Sequence, residues 1–368
     1  MAEIELFPEK IYKFAPCIVS NVQTMEMKFL KRVLASDVTT DGGNYFCDDT
    51  PTSKADIVVV SVPWSVTADY GRGATYTPDA VIEASAKGGD YDTLSGLSLK
   101  GRIATAEIDY NIQELSEQLG RDAERVAQAG EGGSLAVDYA MRKVKGINEG
   151  FGQMHRSTYE QVLSYAKAGK RVAVVGGDHS VSYGAVKALA EQHNGIGVLF
   201  VDAHTDFVGN GEVYNFSHRT IARNIVEDIS LVEKMVLVGV RESSRDEIER
   251  IKTQPKVELF PAERLSTARF EGKCWGELCR EIVERLPEKV YISFDIDALK
   301  IEFCHHTNAP VPGGMTFDEA IYLINSVVAS GRKIVGFDIT EVVPALKNKM
   351  DATVASRLLA KMAVATLK

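Results

Sequence analysis

The sequence has little of several features that would each point to a particular class of protein. Its five cysteines are scattered over 368 residues, in neither the pattern of a disulfide framework nor the spacing of a zinc finger. No apolar run approaches the roughly 18 to 20 residues that a membrane-spanning helix needs, and no internal repeat is present. The N-terminus has no signal-peptide core. We therefore expect a cytoplasmic protein with no membrane partner.

Positive charge is also in short supply. The chain has 42 Lys and Arg against 51 Asp and Glu, a formal net charge of −9. Because a nucleic-acid-binding surface normally needs a basic patch, we expect no nucleic-acid partner. An acidic chain instead suits a small cationic substrate or simply favours solubility. The composition, 45% hydrophobic and 25% charged, is that of a globular protein with a sizeable core.

Strand-like and helix-like segments alternate along the chain. The expected strands lie at 56–62, 102–108, 171–175, 197–200, 235–240, 290–295 and 333–338. The expected helices lie near 158–168, 245–252, 275–286, 316–330 and 351–366, with another that opens at Thr77 as N-cap and Pro78. This alternation predicts an α/β fold with a mostly parallel sheet covered on both faces.

One catalytic domain is the simplest division of the chain. We expect it to span 55–368, after an N-terminal extension over 1–54. The turn-rich stretch Gly130-Glu131-Gly132-Gly133 indicates a surface insertion over 112–150.

Metal-ligating residue types follow four of the expected strands. Asp202, His204 and Asp206 come directly after one strand at a spacing of two, which in extended chain places them on one side. The other three strand ends carry His179, the pair Asp295 and Asp297, and Glu341. In a parallel sheet these ends share one edge, where open α/β sheets place their active sites.

Four aspartates and two histidines without a thiol form a hard, oxygen-rich ligand set for divalent cations. One cation cannot use six such ligands, whereas two cations roughly 3.5 to 4 Å apart can share them. A lone Asp or His is more often structural than a ligand, but three ligand-bearing segments at strand ends are a strong signal. The predicted ligands are His179, Asp202, His204, Asp206, Asp295 and Asp297.

Three of these segments resemble the signature motifs of the arginase/agmatinase (ureohydrolase) superfamily. They read Gly-Gly-Asp-His-Ser at 176–180, Asp-Ala-His-Thr-Asp at 202–206 and Ser-Phe-Asp-Ile-Asp at 293–297, and the resemblance covers about 56–345. It implies a three-layer α/β/α sandwich of the arginase/deacetylase type, with the six residues binding two metal ions. Those ions are usually Mn²⁺ and in some members Ni²⁺. The resemblance also implies a homotrimer or homohexamer.

The resemblance further assigns catalytic residues. Glu341 corresponds to the glutamate that binds the guanidinium, and His218 to the histidine that carries a proton to the leaving amine. Asp206 is counted as catalytic as well as a ligand. The alternative for His218 is a structural loop histidine.

The chain departs from the family pattern in the loop after Asp297. Residues 298–309 replace the usual Asp-Pro continuation, and Thr307 and Asn308 would line the substrate mouth. Where arginases bind the amino-acid end of arginine, this chain has Val208, Tyr214 and Phe216. Arginine is therefore not the expected substrate. The aromatic pair would either stack on a flat cation or belong to the core.

We therefore expect a metal-dependent amidinohydrolase that releases urea from an agmatine-like or other non-arginine guanidine. The alternatives are small or N-alkylated guanidines, guanidino acids or formiminoglutamate as substrates. A catalytically silent partner subunit of a hetero-oligomer is a further alternative, although the intact ligand set argues against it.

Overall fold

A computed structural model describes residues 43–68, 73–129, 134–209, 212–345 and 348–368. Most of the predicted extension over 1–54 lies outside the described residues, and so does the glycine-rich stretch at 130–133. The proposed domain division therefore stays a prediction.

Eight strands form one sheet in which every neighbouring pair runs parallel. They are β1 (Ile57–Val62), β4 (Ile103–Thr105), β5 (Arg171–Gly176), β6 (Ile196–Val201), β7 (Val232–Val238), β8 (Val257–Phe260), β9 (Lys289–Asp295) and β10 (Lys333–Thr340). Their order in the sheet is β4-β1-β5-β10-β9-β6-β7-β8. Two short strands, β2 (Tyr91–Asp92) and β3 (Leu97–Ser98), pair separately and antiparallel.

Helices lie between the strands in the chain. They are α1 (Thr77–Ser85), α2 (Tyr110–Ala129), α3 (Ser134–Lys167), α4 (Ser182–His193), α5 (Ile221–Asp228), α6 (Arg245–Lys252), α7 (Ala262–Phe270), α8 (Trp275–Glu284), α9 (Phe317–Ala329) and α10 (Met350–Thr366).

The central strands of the sheet are mostly apolar and are buried on both faces. In β1, Ile57 and Val59 belong to one hydrophobic core, and Val58 and Val60 belong to a second core on the opposite face. Since successive side chains of a strand alternate between faces, a continuous apolar strand needs helices on both sides. Helices α1 and α7–α10 contribute to the first core, and α2–α6 contribute to the second. The predicted three-layer α/β/α sandwich with a mostly parallel sheet is confirmed.

Residues 112–150 differ from the turn-rich interpretation. Their described part belongs to α2 and α3, and the expected helix at 158–168 is only the end of α3. Ile112, Leu119 and Ile147 are buried in the second core. Apolar residues at helical spacing predict these helices, but the glycines at 130–133 favoured a turn-rich interpretation. Whether the helix pair is an insertion stays a prediction.

Two local expectations were wrong or incomplete. Thr77 is the first residue of α1 rather than its cap, and its hydroxyl donates to the carbonyl of Val342. Strand β8 was not expected, because its four residues alternate Val, Glu, Leu and Phe between a turn and a helix. Such a short pattern at a sheet edge carries little periodicity.

Within the described ranges, no helix combines the length and apolarity that crossing a membrane requires.

Gly177 provides a test of how closely the layers pack beside the sheet edge. A Cβ there would lie 1.9 Å from the carbonyl oxygen of Trp64, which is backbone and cannot swing away. We expect Gly177→Ala to destabilise the protein by about 1 to 3 kcal/mol or more, as overpacking does. The matched control is Gly152→Ala in α3, where a Cβ meets nothing within 4 Å. It should stabilise the protein by about 0.5 to 1 kcal/mol. Urea unfolding measures both, and equal stability of the two variants would contradict the packing argument.

Candidate metal centre and active site

The ligand-bearing strands are neighbours in the sheet although they are far apart in the sequence. β5, β10, β9 and β6 stand side by side in that order. Their carboxyl ends are level, because Val201 pairs with Phe294 and Thr340 pairs with Asp295. The residue types that follow these strands therefore meet at the middle of one sheet edge.

One cluster gathers around His179, which is fully buried. Its Nδ1 lies 2.9 Å from Asp202 Oδ2 and 3.3 Å from Oδ2 of both Asp206 and Asp295. The ring stacks on Phe200 at 4.5 Å between centroids. One imidazole nitrogen and three carboxylate oxygens thus point at a common position.

A second cluster shares Asp202 with the first. His204 Nδ1 lies 3.0 Å from Asp297 Oδ2 and 3.5 Å from Asp202 Oδ1. Ligand atoms of Asp202, His204 and Asp297 all lie within 4.8 Å of one another, as do those of His179, Asp202 and Asp295. Each oxygen of Asp202 faces a different cluster, which is the arrangement of a carboxylate bridging two cations.

The structure corrects the expected reason for this convergence. β6 ends at Val201, and the chain bends at Ala203 and His204. The backbone N–H of His204 instead donates to Asp202 Oδ1 at 2.6 Å, and Asp206 has a φ of 52°. A turn, with one residue in the left-handed region, brings the three side chains together.

Buried polar atoms without partners show that this donor set fits metal ions. His179 Nδ1 and Asp202 Oδ2 are buried, and within the described part of the chain neither makes a hydrogen bond of acceptable geometry, although they are 2.9 Å apart. An unsatisfied buried polar group is costly, so such atoms are rare unless something binds them. Hard divalent cations favour this combination of carboxylates and imidazoles.

The protein already supplies some donors to the buried carboxylates. Asp297 Oδ1 accepts the backbone N–H of Ala203 at 3.0 Å, and Asp295 Oδ1 accepts the N–H of Asp297 at 2.8 Å. His179 Nε2 lies 2.9 Å from Ser293 Oγ, which donates to Asp338 at 2.9 Å. These contacts hold the ligands in place from the side away from the metal positions.

The clustered charges shift the pKa values of the ligands. Burial by itself would lower the pKa of His204, but Asp202 and Asp297 raise it to about 12. Burial likewise acts against charged His179, and its three carboxylate neighbours raise its pKa well above the usual value. Burial and the charge of Asp202 raise the pKa of Asp206 to about 6. Without metal, both histidines therefore hold protons near neutral pH.

Glu341 follows β10 and has its backbone in the left-handed region, with a φ of 66°. Its Oε1 accepts the backbone N–H of His179 at 2.7 Å, and its Oε2 accepts the side-chain amide of Asn308. The carboxylate is 3% exposed, and burial raises its pKa to about 7. The structure places it beside the first cluster.

His218 opens the short helix before α5 and is buried. Its Nδ1 lies 3.2 Å from the hydroxyl of Thr67, on the chain that continues from β1. Burial raises the pKa of both Glu341 and Asp178, and the nearby His218 opposes that rise. The structure therefore brings His218 into the electrostatic neighbourhood of Glu341.

Thr307 and Asn308 also reach this position. Thr307 pairs with Val342, the residue after Glu341, and both side chains are at least nine-tenths buried. Thr307 Oγ1 and Asn308 Oδ1 make no hydrogen bond with any described residue. Two polar atoms are thus left for a ligand beside the glutamate.

Phe216 fits the core alternative. Its ring packs edge-on against His155 at 4.6 Å and against Tyr183 at 5.0 Å. Tyr214 is half-buried and packs against the same core. Neither is in a described contact with Glu341, and a stacking role for the pair stays a prediction.

Sequence reasoning missed Thr67, Asp338 and Arg241. Asp338 carried a signal, because a charged residue inside an apolar strand needs a buried partner. Thr67 carried none, since its proximity to His218 comes from a strand end 151 residues away. Arg241 follows β7, and its guanidinium donates to the carbonyl of Asp297 at 2.6 Å. Nothing in the local sequence predicts that contact.

Substitution of the shared ligand should remove both metal positions. We expect the wild type to bind two divalent ions per chain, Asp202→Asn to bind none tightly, and His204→Ala to keep about one, because the cluster around His179 remains. Asp122→Asn, at a buried aspartate paired with Lys143 on α2 and α3, is the control and should keep two. Elemental analysis after dialysis measures the content. Two ions retained in Asp202→Asn would refute the shared site.

Metal loading should release protons. A metal-bound imidazole must be neutral, and the raised pKa values of His179 and His204 mean that both are protonated near pH 7.5 without metal. Loading then releases about two protons per chain from these histidines, with a further contribution from the raised pKa of Asp295, and the apparent affinity rises with pH. Calorimetry in two buffers of different ionisation enthalpy counts these protons, and a count near zero would contradict the shifts.

Comparison with known proteins agrees with this geometry. The profile described as "Arginase family" matches residues 55–365. The N(1)-aminopropylagmatine ureohydrolase of Thermus thermophilus is 29% identical over 297 residues, which cover 80% of this chain and 85% of that protein. The agmatinase of Pyrococcus horikoshii is 27% identical over 293 residues, covering 78% and 84%.

A solved structure repeats the fold. The agmatine ureohydrolase of Thermoplasma volcanium superposes with a TM-score of 0.63 at 22% identity, covering 87% of this chain and 92% of that one. The parallel sheet, the clusters of candidate metal ligands at its strand ends and the match over most of the chain lead to one conclusion. The protein belongs to the arginase family.

Proposed function

We propose that this protein is a binuclear-metal hydrolase that cleaves a guanidino C–N bond and releases urea from an agmatine-like substrate. One observation carries the proposal. Glu341 lies beside the paired ligand clusters together with two buried polar atoms that have no described partner, Thr307 Oγ1 and Asn308 Oδ1. Family membership and the agmatine-type relatives support the reaction class.

A guanidinium suits this position on chemical grounds. It is planar, cationic and carries only N–H donors, so it needs oxygen acceptors arranged around it. Glu341 supplies charge, while Asn308 and Thr307 supply neutral oxygens. The Asn308 amide group donates to Glu341, and that contact turns its Oδ1 away from the carboxylate.

Two divalent cations, when bound by the six ligands, supply a nucleophile at neutral pH by lowering the pKa of water. The chain's own residues do the rest. Glu341 orients the guanidinium carbon towards the ligand clusters. The leaving amine needs a proton, and His218 is the buried histidine near Glu341 that would donate it. Low exposure of both groups strengthens their electrostatic effect.

The substrate is proposed to lack an amino-acid end. Phe216 occupies a position where arginases bind that end, and its ring packs against His155 and Tyr183 instead. Agmatine and its N-alkylated polyamine derivatives come first, in line with the named activities of the relatives. Small guanidines, guanidino acids and formiminoglutamate are the alternatives, and a silent partner subunit is the remaining one.

Mn²⁺ is the proposed metal, with Ni²⁺ as the alternative, because both accept carboxylate and imidazole ligands. A homotrimer or homohexamer in the cytoplasm completes the proposal.

Urea release from a panel of guanidines tests the function. Protein loaded separately with Mn²⁺ and Ni²⁺ is assayed on agmatine, N(1)-aminopropylagmatine, arginine, 4-guanidinobutyrate, guanidine and N,N-dimethylguanidine. Formiminoglutamate is followed by formamide release. We expect an agmatine-type compound to be the best substrate and arginine to be poor. No turnover of any compound by protein with two bound metals would favour the silent subunit.

Glu341→Gln separates substrate binding from metal binding. The glutamine oxygen can still accept the N–H of His179, so the metal content should stay at that of the wild type. The lost charge should lower kcat/KM by at least about 100-fold. The control is Glu258→Gln, at a half-buried glutamate near Lys234 and Arg285, which should keep full activity. Full activity of Glu341→Gln on every guanidine would exclude the assigned role.

A further inference from the structure

The loop over 298–312, here called the mouth loop, carries Thr307 and Asn308 to Glu341. It leaves the metal centre at Asp297 and returns to the sheet edge at Gly313. Its tip does not belong to any strand of the main sheet, so other contacts must fix its shape. Two side chains from elsewhere in the fold hold it, one at the base and one near the tip.

Arg241 holds the base. Its guanidinium donates to the carbonyl of Asp297 at 2.6 Å, where the loop begins, and to those of Val311 and Pro312 at 3.0 Å, where it ends. Burial lowers the pKa of this arginine, and nearby aspartates oppose that effect. The base of the loop is thereby tied to the residue that supplies a metal ligand.

Asp351 holds the loop near its tip. It is the second residue of α10 and is fully buried. Its Oδ1 accepts the backbone N–H of His305 at 2.6 Å and that of His306 at 3.2 Å. Its Oδ2 lies 2.8 Å from His306 Nδ1. The N-terminus of a long helix favours a negative charge in its first turn, which stabilises this carboxylate in place.

The held segment leads directly to the substrate position. The carbonyl of His306 accepts the N–H of Val343 at 2.9 Å, and Thr307 pairs with Val342. Asn308 comes next and donates to Glu341. Only one residue separates the clamped His306 from Asn308, so a shift of the clamp displaces the amide that contacts the glutamate.

We propose that Asp351 is a positioning residue for substrate recognition, which holds the mouth loop so that Thr307 and Asn308 face the cation bound by Glu341. The proposal rests on the proposed function where it takes Glu341 to bind a guanidinium. Asp351 touches neither the metal ligands nor Glu341, so it acts through the loop backbone. The three oxygen acceptors are then fixed relative to one another, which selects a planar cation with several N–H groups.

The helix that carries Asp351 does not depend on it. α10 buries Leu358, Leu359 and Met362 in the first hydrophobic core. His306, by contrast, is nearly half exposed, so solvent reaches the loop when the clamp is removed. Loss of the carboxylate should therefore loosen the loop and leave the fold intact.

The experiment compares Asp351→Ala with Asp351→Asn in metal-loaded protein. Asparagine keeps an oxygen for the two backbone N–H groups, while alanine removes it. The matched control is Asp92→Ala, which removes a buried aspartate that accepts the N–H of Ser95 and pairs with Lys361 of the same helix. Hydrogen exchange of the peptide spanning 303–310 reports on the clamp without any substrate. KM and kcat for the best guanidine report on recognition.

We expect Asp351→Ala to speed exchange at 303–310 and raise KM at least about 10-fold, with metal content and kcat little changed. Asp351→Asn should restore most of the slow exchange at 303–310 and most of the low KM. Asp92→Ala should alter neither exchange nor KM. Arg241→Lys should differ by lowering metal affinity. Unchanged exchange or unchanged KM in Asp351→Ala would overturn the proposal. If Asp351→Ala does not fold, His306→Ala takes its place and should raise KM by a smaller factor.

The hydrogen-exchange and kinetic measurements also distinguish failure of this proposal from failure of the proposed function. If the wild type hydrolyses no guanidine, the proposed function fails and substrate recognition by the loop fails with it. Exchange at 303–310 then still decides whether Asp351 holds the loop.

Discussion

The active-site region depends on one constraint, the burial of several carboxylates within a few ångströms of each other. Like charges at such distances in a low-dielectric interior repel strongly. The effect appears in Asp295, whose pKa is raised well above its usual range by burial and by its neighbours Asp297 and Asp202. Backbone N–H groups and two histidines offset only part of this repulsion. The remainder calls for positive charge, which two divalent cations would supply.

The parallel sheet provides a rigid frame that holds these carboxylates close together. Four adjacent parallel strands end at the same level, and each contributes candidate ligands or a carboxylate from its last residue or from the first residues beyond its end. Two of these residues, Asp206 and Glu341, have positive φ values of 52° and 66°. A left-handed backbone costs an ordinary residue roughly 1 kcal/mol or more, so its surroundings must impose it. For Glu341, its N–H donates to the carbonyl of Gly177 at 2.7 Å and contributes to that restraint.

The candidate metal ligands and the candidate substrate contacts come from different parts of the fold. The candidate ligands stand at the ends of rigid strands, where the two hydrophobic cores fix their positions. The oxygens beside Glu341 come from the mouth loop, whose shape is set by single side chains at its base and near its tip. A loop on a rigid scaffold can change its recognition without disturbing the chemistry. This division explains why the ligand motifs identify the family but do not identify the substrate.

The sequence by itself determined the fold class, because continuous apolar strands alternating with helices have few other arrangements. It also indicated the residue types of the candidate metal centre, since Asp and His residues at strand ends can be recognised as hard ligands by their chemistry and spacing. Tertiary structure alone decided which strands are neighbours, that Asp202 faces both clusters, and that a turn rather than extended chain gathers Asp202, His204 and Asp206. It also decided the contacts of Arg241 and Asp351, because a hydrogen bond between residues far apart in sequence leaves no local pattern. Short-range periodicity can be recognised in the sequence, whereas contacts between side chains far apart in the sequence depend on how the layers pack.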